Sequence, residues 1–425
     1  NNKLKSILNI MEKDFLKNLS FESQNLVSAL LFDKKSKEYS INWGKNVFSK
    51  NPYFLNSLLY KIKTNYPKNI ENNTKISVSS FDIRKCGDIP CIYKSFLENK
   101  DKIKLIIQSY NVKLSNELEE ILEKGDDGLL AFQEFVNKIR NLEILQEMTI
   151  AINTKNNSEM DDSFFSDLFI PSEIQYEMEK YKKLWIIEGN YNNIRVQIIS
   201  NNKKHEELIY QSIARMETMR KMMNWNNKLE LILLDSKKKR KYRSDNIGRR
   251  EVNGGYTWRG SGKIHIFRKQ ECKKVLLHEL IHTFDIDYKH EQDMCESHAE
   301  LWATIMNCIF TIIESNNRLS INLLGALLSF ESAFSKIQER KVSSMIEKDK
   351  TSTLAKGYYI YKSLLLENLD KYLEMIGVGN PIFSFPVENN EKFKLFIKIL
   401  IQNNQNNVNI PSKLRKTLRM TCIEV

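Results

Sequence analysis

The chain has 425 residues, a formal net charge of +12 at pH 7 and 41% hydrophobic residues. This length and apolar content predict a folded protein with a substantial core, and they exclude a disordered or fibrous chain. No stretch approaches the roughly 18 apolar residues of a membrane span, so we expect no membrane association. The positive charge is compatible with an acidic partner, such as an acidic polypeptide substrate or a nucleic acid, but it is also typical of a solvated surface.

The cysteines and the first residues indicate the compartment. The six cysteines form no CxxC pair and no regular framework, which favours free thiols in a reducing environment. The segment Asn1–Ile10 carries charges where a secretion signal would have an apolar run. We therefore expect a cytoplasmic protein.

Residues 1–160 are predicted to form a mainly helical accessory domain. Apolar residues recur at helical spacing in segments such as Ser115–Lys124 and Leu129–Met148. The region has no catalytic motif, and its purpose does not follow from the sequence. A polar break at Asn153–Ser163 marks its predicted end.

Short β-rich runs begin near residue 182. Leu184–Ile187 and Ile194–Ile199 flank the turn sequence Gly189–Asn193, which predicts a β-hairpin. Further elements are predicted in chain order: a helix over about His205–Trp225, a strand at Leu229–Leu234, a short strand before Gly260, a strand at Lys263–Arg268, and helices at Glu271–Phe284 and Cys295–Ile313. The fold class is therefore α+β, with a mixed sheet and a catalytic core over residues 161–313, followed by a helical C-terminal subdomain over residues 314–425.

The most informative motif is His-Glu-Leu-Ile-His at residues 278–282. On a helix, His278 and His282 lie about 40° apart around the axis, so both imidazoles can reach one metal ion. Glu279 lies about 100° away and is placed to act as a general base instead of a ligand. This spacing is typical of zinc sites in metallopeptidases.

A third zinc ligand is expected from the next predicted helix, which contains Glu296-Ser297-His298-Ala299-Glu300. Glu296 and Glu300 share a helix face, so Glu296 is the predicted ligand and Glu300 is predicted to orient a ligating histidine. His298 and Asp293 remain alternative ligands. The strand before the motif contains Ile264, His265 and Ile266, and we predict that it is an edge strand that binds extended substrate through main-chain hydrogen bonds.

These motifs resemble the gluzincin branch of the zincin metallopeptidases, in which an HExxH helix is followed by a helix bearing ExxxD or ExxxE. The resemblance implies a Zn²⁺ cofactor, a twisted sheet packed on the active-site helix, and a further Tyr, His or Arg that stabilises the oxyanion. Tyr359 is the residue we assign to that role, with Tyr358, Tyr288 and His290 as alternatives.

A narrower likeness links about residues 180–375 to metallopeptidase-like proteins of large cytoplasmic DNA viruses. It includes Val252–Thr257, Ile264–Lys269, Lys274–Glu279, Glu296–Ala303 and Tyr358–Ser363. For a viral protein, the expected location is the host cytoplasm or the virion.

Two other functions compete with an active peptidase. The first is a structural protein, for example a virion component, that keeps the zincin fold without activity; the intact Glu279 argues against it. The second is nucleic-acid binding through the basic loop at residues 237–250, which no known nucleic-acid-binding motif supports.

Overall fold

The computed structural model describes residues 13–32, 52–82, 90–110, 112–139, 142–153, 167–242, 247–315, 320–346, 354–376, 390–404 and 410–424. These residues form an α+β protein in which helices cover both faces of a six-stranded mixed sheet. The predicted fold class is confirmed at this level.

The sheet contains both antiparallel and parallel pairs. Its strands are β1 (Lys75–Asp82), β2 (Lys183–Tyr191), β3 (Ile194–Ser200), β4 (Leu229–Leu234), β5 (Gly255–Thr257) and β6 (Lys263–Ile266). Their spatial order is β1-β2-β3-β4-β6-β5. The β3–β4 and β4–β6 pairs are parallel, whereas the other three pairs are antiparallel.

Helices make up most of the remaining described chain. They are α1 (Lys13–Asn18), α2 (Phe21–Phe32), α3 (Pro52–Asn65), α4 (Ile70–Asn73), α5 (Cys91–Glu98), α6 (Lys100–Tyr110), α7 (Val112–Glu123), α8 (Leu129–Lys138), α9 (Leu142–Asn153), α10 (Ser172–Glu179), α11 (Glu206–Met222), α12 (Arg249–Val252), α13 (Cys272–Thr283), α14 (Gln292–Glu314), α15 (Ile321–Ile346), α16 (Lys362–Glu367), α17 (Leu369–Ile376) and α18 (Asn390–Gln402). A π-helix at Lys356–Tyr361 precedes α16, and short 3₁₀ helices lie at Gly125–Gly128 and Ser412–Leu414. None of the described helices is long and apolar enough to cross a membrane.

The predicted hairpin is confirmed as β2 and β3, which pair from Trp185–Ser200 to Tyr191–Ile194. The predicted strand Leu229–Leu234 is β4. The two helices that carry the metal motif are also present, although α14 begins at Gln292, three residues before its predicted start.

The prediction that Lys263–Arg268 is an edge strand is wrong. β6 lies between β4 and β5, so main-chain pairing occupies both of its sides. The three-residue strand β5 forms this edge of the sheet instead. The sequence favoured Lys263–Arg268 as the edge strand because this run is longer and more apolar than Gly255–Thr257. The order of strands, however, depends on the path of the chain in three dimensions.

β1 forms the opposite edge within a region that was predicted to be mainly helical. Its polar serines are exposed, and only Ile76 and Val78 alternate with them as a strand pattern requires. This signal is too weak to indicate a strand from sequence. Pairing of all eight residues with β2 supplies the hydrogen bonds that stabilise it.

The main hydrophobic core combines distant parts of the chain. It joins α1 to α4 with one face of the sheet, α11, α13, α14, α15 and Ile423 near the end of the chain. Helices α5 to α9 form a separate core. The predicted accessory region therefore contributes its first part to the main core, whereas described residues within 90–153 form the separate core together with Leu168 and Phe169.

Candidate metal centre

Helix α13 lies between the sheet and α14, and this position explains its burial on almost every side. Leu277 and Leu280 pack into the main core, and eleven of its twelve residues are buried. The helix ends at Phe284, after which Asp285 adopts a positive φ of 55°. The loop that follows leads directly into α14, which therefore runs against the face of α13 that bears the two histidines.

Three side-chain atoms from these two helices converge on one point. The Nε2 atoms of His278 and His282 lie 3.0 Å apart. Glu296 Oε2 lies 3.1 Å from His278 Nε2 and 3.4 Å from His282 Nε2. Zinc bonds of about 2.0–2.1 Å at tetrahedral angles place ligand atoms about 3.3 Å apart, so the observed spacing fits a metal ion.

The opposite side of each imidazole faces a carboxylate. His282 Nδ1 lies 2.5 Å from Asp287 Oδ2, and His278 Nδ1 lies 3.0 Å from Glu300 Oε1. The second contact is an electrostatic one, because the N–H direction does not meet hydrogen-bond geometry. A carboxylate at Nδ1 favours the proton on that nitrogen and leaves the Nε2 lone pair free for a metal.

Without a cation, the centre of the cluster would be unfavourable. With both imidazoles neutral, two Nε2 lone pairs and one carboxylate oxygen would face each other. Burial lowers the pKa of both histidines, but the surrounding carboxylates outweigh it and raise the pKa, so this point needs either a shared proton or a metal ion. Glu296 Oε2 is buried and has no hydrogen-bond partner among the described residues. Such an atom requires a partner, and a metal ion satisfies all three groups at once.

The buried charges around the cluster point the same way. Two cations, Lys274 and Arg259, contact it. Four carboxylates surround it: Glu279, Glu296, Glu300 and Asp287. Carboxylates therefore outnumber the cations that contact the cluster, and an additional positive charge there would be favourable.

Glu296 is ionised in this setting, as a metal ligand must be. Burial raises the pKa of its carboxyl, but the close contacts with His282 and His278 outweigh that effect and hold the pKa at about 2. Glu279 differs. Burial raises its pKa above the usual range, against the opposing effect of the two histidines. A raised pKa suits a carboxylate that must accept a proton near neutral pH.

Lys274 supports Glu300 from one helical turn before His278. Its ammonium forms a buried ion pair with Glu300 Oε2, while Oε1 faces His278. Burial raises the pKa of Glu300, but the charge of Lys274 and the contact with His278 reverse this and hold it far below its usual range. Lys274, His278 and His282 therefore form one row on α13 that faces Glu300 and Glu296 on α14.

Asp287 supports the second histidine and was not predicted. It lies in the loop between α13 and α14, where Arg259 Nη2 donates to its Oδ2 at 3.0 Å and the Cys295 thiol donates at 3.1 Å. Its position in a loop gives no periodic signal, so the sequence did not distinguish it from its neighbour Asp285.

His282, Asp287 and Cys295 form a second group with ligand-like spacing. Arg259 occupies that side, with Nη2 3.3 Å from Cys295 Sγ. Burial raises the pKa of the Cys295 thiol to about 11, so the thiolate that a metal needs is disfavoured. We interpret this group as support for His282 and not as a metal site.

The two alternative ligands, His298 and Asp293, do not lie with His278 and His282, whereas the predicted ligand Glu296 does. His298 is fully buried on another side of α14, where Nδ1 lies 2.6 Å from the Tyr372 hydroxyl. Asp293 Oδ1 accepts a hydrogen bond from the main chain of Gly357. Neither belongs to the converging group, which contains Glu296.

The predicted substrate residues on β6 lie on a strand that is paired on both sides. Ile264 and Ile266 are buried in the main core beneath α13. His265 lies on the other face of the sheet, where its ring stacks on Tyr256 at 4.7 Å. Burial lowers the pKa of His265 to about 4, so it is a neutral packing residue.

Tyr359, the predicted oxyanion residue, does not point to the cluster. It is 1% exposed, and its hydroxyl donates to Leu418 O at 2.8 Å. Its neighbour Tyr358 lies beside the candidate ligands, with its ring centre 6.1 Å from that of His278. The two were indistinguishable in sequence because adjacent residues on a helix face different directions, and only packing shows which one is buried.

Tyr358 is carried by the π-helix, which passes very close to α14. A Cβ atom on Gly357 would lie 2.3 Å from Asp293 O and 2.9 Å from Glu296 Cβ. Glycine therefore permits the approach that brings Tyr358 to the cluster. π-Helical turns are frequent at functional sites.

No family model matches the chain, and no curated protein or solved structure shows significant similarity to it. Function is therefore inferred from the geometry of these side chains.

Proposed function

We propose that this protein is a zinc-dependent peptidase in which His278, His282 and Glu296 bind the metal and Glu279 is the general base. The observation that carries the proposal is the convergence of two Nε2 lone pairs and one unpartnered carboxylate oxygen within 3.4 Å of one another. Two imidazoles and one carboxylate are a ligand set that zinc favours.

The donor set also favours catalysis over a purely structural role. Structural zinc sites are closed by four protein ligands, whereas catalytic sites have three and an open position. Among the described residues, three ligand atoms converge at this point. Glu279 lies next to them, where a structural site would have no use for a base.

Each residue would have a distinct role in peptide hydrolysis. Bound zinc would supply a Lewis acid that lowers the pKa of water to about 7. Glu279 would accept a proton from the attacking water and pass it to the leaving amine. Tyr358 would donate its hydroxyl proton to the substrate carbonyl oxygen; burial, followed by repulsion from Glu296 and Glu279, raises its pKa and keeps it protonated.

β5 is the strand best placed to bind an extended substrate. Phe267 N donates to Gly254 O, so these two residues form a hydrogen-bonded pair of the antiparallel ladder. Hydrogen-bonded and non-hydrogen-bonded pairs alternate along such a ladder, so the next hydrogen-bonded pair is Tyr256 with His265. The main-chain groups of Gly255 and Thr257 consequently point away from β6, towards the open edge. A peptide chain can add there as a further strand.

β5 also lies close to the general base. A Cβ on Gly255 would lie 3.0 Å from Val275 Cγ1 on α13, so this glycine lets the strand approach the helix. Burial and the neighbouring Asp167 raise the pKa of Tyr256, and the negative charge of Glu279 adds a smaller contribution. A sheet packed on the HExxH helix is the arrangement that the zincin resemblance implies.

Zinc content and peptide hydrolysis test the proposal together. We expect one zinc per chain in the wild type, loss of that zinc in His282→Ala, and retention of zinc with a large loss of hydrolysis in Glu279→Gln. Activity on a peptide library should disappear with a chelator and return with zinc. Hydrolysis that survives both chelation and Glu279→Gln would refute the proposal, and zinc binding without any hydrolysis would favour the structural alternative.

A further inference from the structure

Two basic segments that are about 170 residues apart in sequence lie side by side in the structure. One is Lys237–Lys241 and the other is Lys413–Lys416. Lys241 forms a β-bridge with Thr417, and Tyr242 N donates to Lys416 O at 2.9 Å. Below, the pair of segments is called the basic ribbon.

Buried anchors hold the basic ribbon in place. Arg240 is 2% exposed, forms an ion pair with Glu271 and donates to Val252 O. Leu414 in the other segment is fully buried, and so is Leu418, two residues after that segment. The exposed cations therefore project from a rigid base and not from a flexible loop, which reduces the entropy lost when a partner binds.

The exposed cations of the basic ribbon are largely uncompensated. Seven are exposed: Lys237, Lys238, Lys239, Lys241, Lys413, Arg415 and Lys416. Lys239 pairs with Glu22 at 3.0 Å. The other six form no ion pair within the part of the chain that the structure describes, so a strong positive potential remains at this surface.

The chemistry of the basic ribbon favours a nucleic-acid backbone over other anionic partners. A protein interface relies on apolar or aromatic anchors at its centre, and a membrane contact needs apolar side chains that insert. The basic ribbon itself has no exposed apolar side chain, because Leu414 is buried, and a single exposed aromatic residue, Phe21, lies beside it. Duplex DNA presents one charge per ~1.7 Å of its axis and is bound by clustered Lys and Arg without further contacts.

We propose that the basic ribbon is a binding surface for the phosphate backbone of a double-stranded nucleic acid, to which both segments contribute. The surface reads no base sequence, because it offers point charges in place of groups positioned for base edges. Neither segment contains a residue of the metal centre, so this activity is independent of peptide hydrolysis.

The test is the salt dependence of binding to a 20-base-pair DNA duplex, measured by fluorescence anisotropy with the full chain. The slope of log K against log salt is about −0.9 per phosphate contact. Replacement of Lys237, Lys238 and Lys241 by Gln should make the slope shallower by up to ~2.7, and replacement of Lys413, Arg415 and Lys416 should do the same. Two duplexes of different sequence should bind equally.

The matched control replaces three exposed lysines elsewhere, Lys61, Lys63 and Lys68, by Gln. It changes the net charge by the same amount and should leave the slope almost unchanged. An equal effect of the control, or an effect of the first segment without the second, would overturn the proposal.

Competition separates the remaining partners. If poly-glutamate or anionic lipid vesicles bind more tightly than DNA at about 150 mM salt, the partner belongs to another class and the nucleic-acid proposal is refuted. Phe21, which follows Ser20 and precedes Glu22, is 79% exposed near Lys239. Phe21→Ala should not affect DNA binding, whereas it would weaken a membrane contact.

Discussion

His278 Nδ1 lies 3.0 Å from Glu300 Oε1, while Nε2 of the same ring lies 3.1 Å from Glu296 Oε2. Two glutamates one turn apart on α14 thus contact the two nitrogens of one histidine. Glu296 shares the position where a metal would bind, and Glu300 orients the ring from behind. Because the two glutamates are four residues apart, they share a helix face and can contact both nitrogens of the same ring.

Glu300→Gln should weaken zinc binding by about 10- to 100-fold, because the His278 ring loses the charged group that orients it and favours its metal-binding tautomer. Competition with a chelator measures the affinity. Glu314→Gln is the matched control, since Glu314 is a buried carboxylate on the same helix that pairs with Arg215 and does not contact a histidine. Equal zinc affinities in the wild type and Glu300→Gln would contradict the role of Glu300.

Tyr358→Phe should change catalysis and Tyr359→Phe should change stability, although the residues are adjacent. Under the proposed function, Tyr358→Phe removes the oxyanion donor and should lower kcat about 10²- to 10³-fold while zinc stays bound. Tyr359→Phe removes the hydrogen bond to Leu418 O and should cost about 1 kcal/mol of stability with kcat unchanged. Steady-state kinetics and urea denaturation distinguish them. A kcat that falls only in Tyr359→Phe would reverse the assignment.

Gly357→Ala should weaken the candidate metal centre, although Gly357 itself contributes no ligand. The new Cβ would meet Asp293 O at 2.3 Å, and relief of that clash requires the π-helix to move away from Glu296. We expect a loss of about 1–3 kcal/mol in stability and weaker zinc binding. The exposed Lys356→Ala on the same π-helix serves as the control. Wild-type zinc affinity and stability in Gly357→Ala would show that the close approach is not required.

Lys341 should give the stability a distinct pH dependence. It is 2% exposed, donates to Leu414 O at 2.9 Å, and burial lowers its pKa to about 7. An unfolded lysine has a pKa of about 10.4, so between these values the unfolded chain binds more protons than the folded one. The contribution of this group therefore rises with pH from about 7 to about 10.

Lys341→Met removes that contribution. Urea denaturation of both proteins at pH 7 and pH 9 should show the wild type gaining stability relative to the variant by up to about 2–3 kcal/mol as pH rises. Parallel pH profiles would mean that Lys341 titrates normally in the folded protein.

The sequence predicted the helical part of the site because that part depends on periodicity. His278, Glu279 and His282 lie on one helix, and Glu296 and Glu300 on the next, so a spacing of four residues determines which side chains share a face. Another local signal, two β-rich runs on either side of a turn sequence, predicted the β2–β3 hairpin. The sequence did not predict the roles of Asp287 and Lys274, because packing determines their partners. Asp287 lies in a loop, and Lys274 has no feature that distinguishes it from other lysines on a helix.

What the sequence determined by itself was therefore the set of donors that can face a common point: two imidazoles and a carboxylate. The tertiary structure alone decided that β5 and not β6 forms the sheet edge, that Tyr358 and not Tyr359 faces the ligands, and that two basic segments from opposite ends of residues 237–416 lie together. The physical reason is the range of the interactions. Helical facing follows from backbone geometry over a few residues, whereas strand order, burial and the pairing of distant segments follow from how the whole core packs.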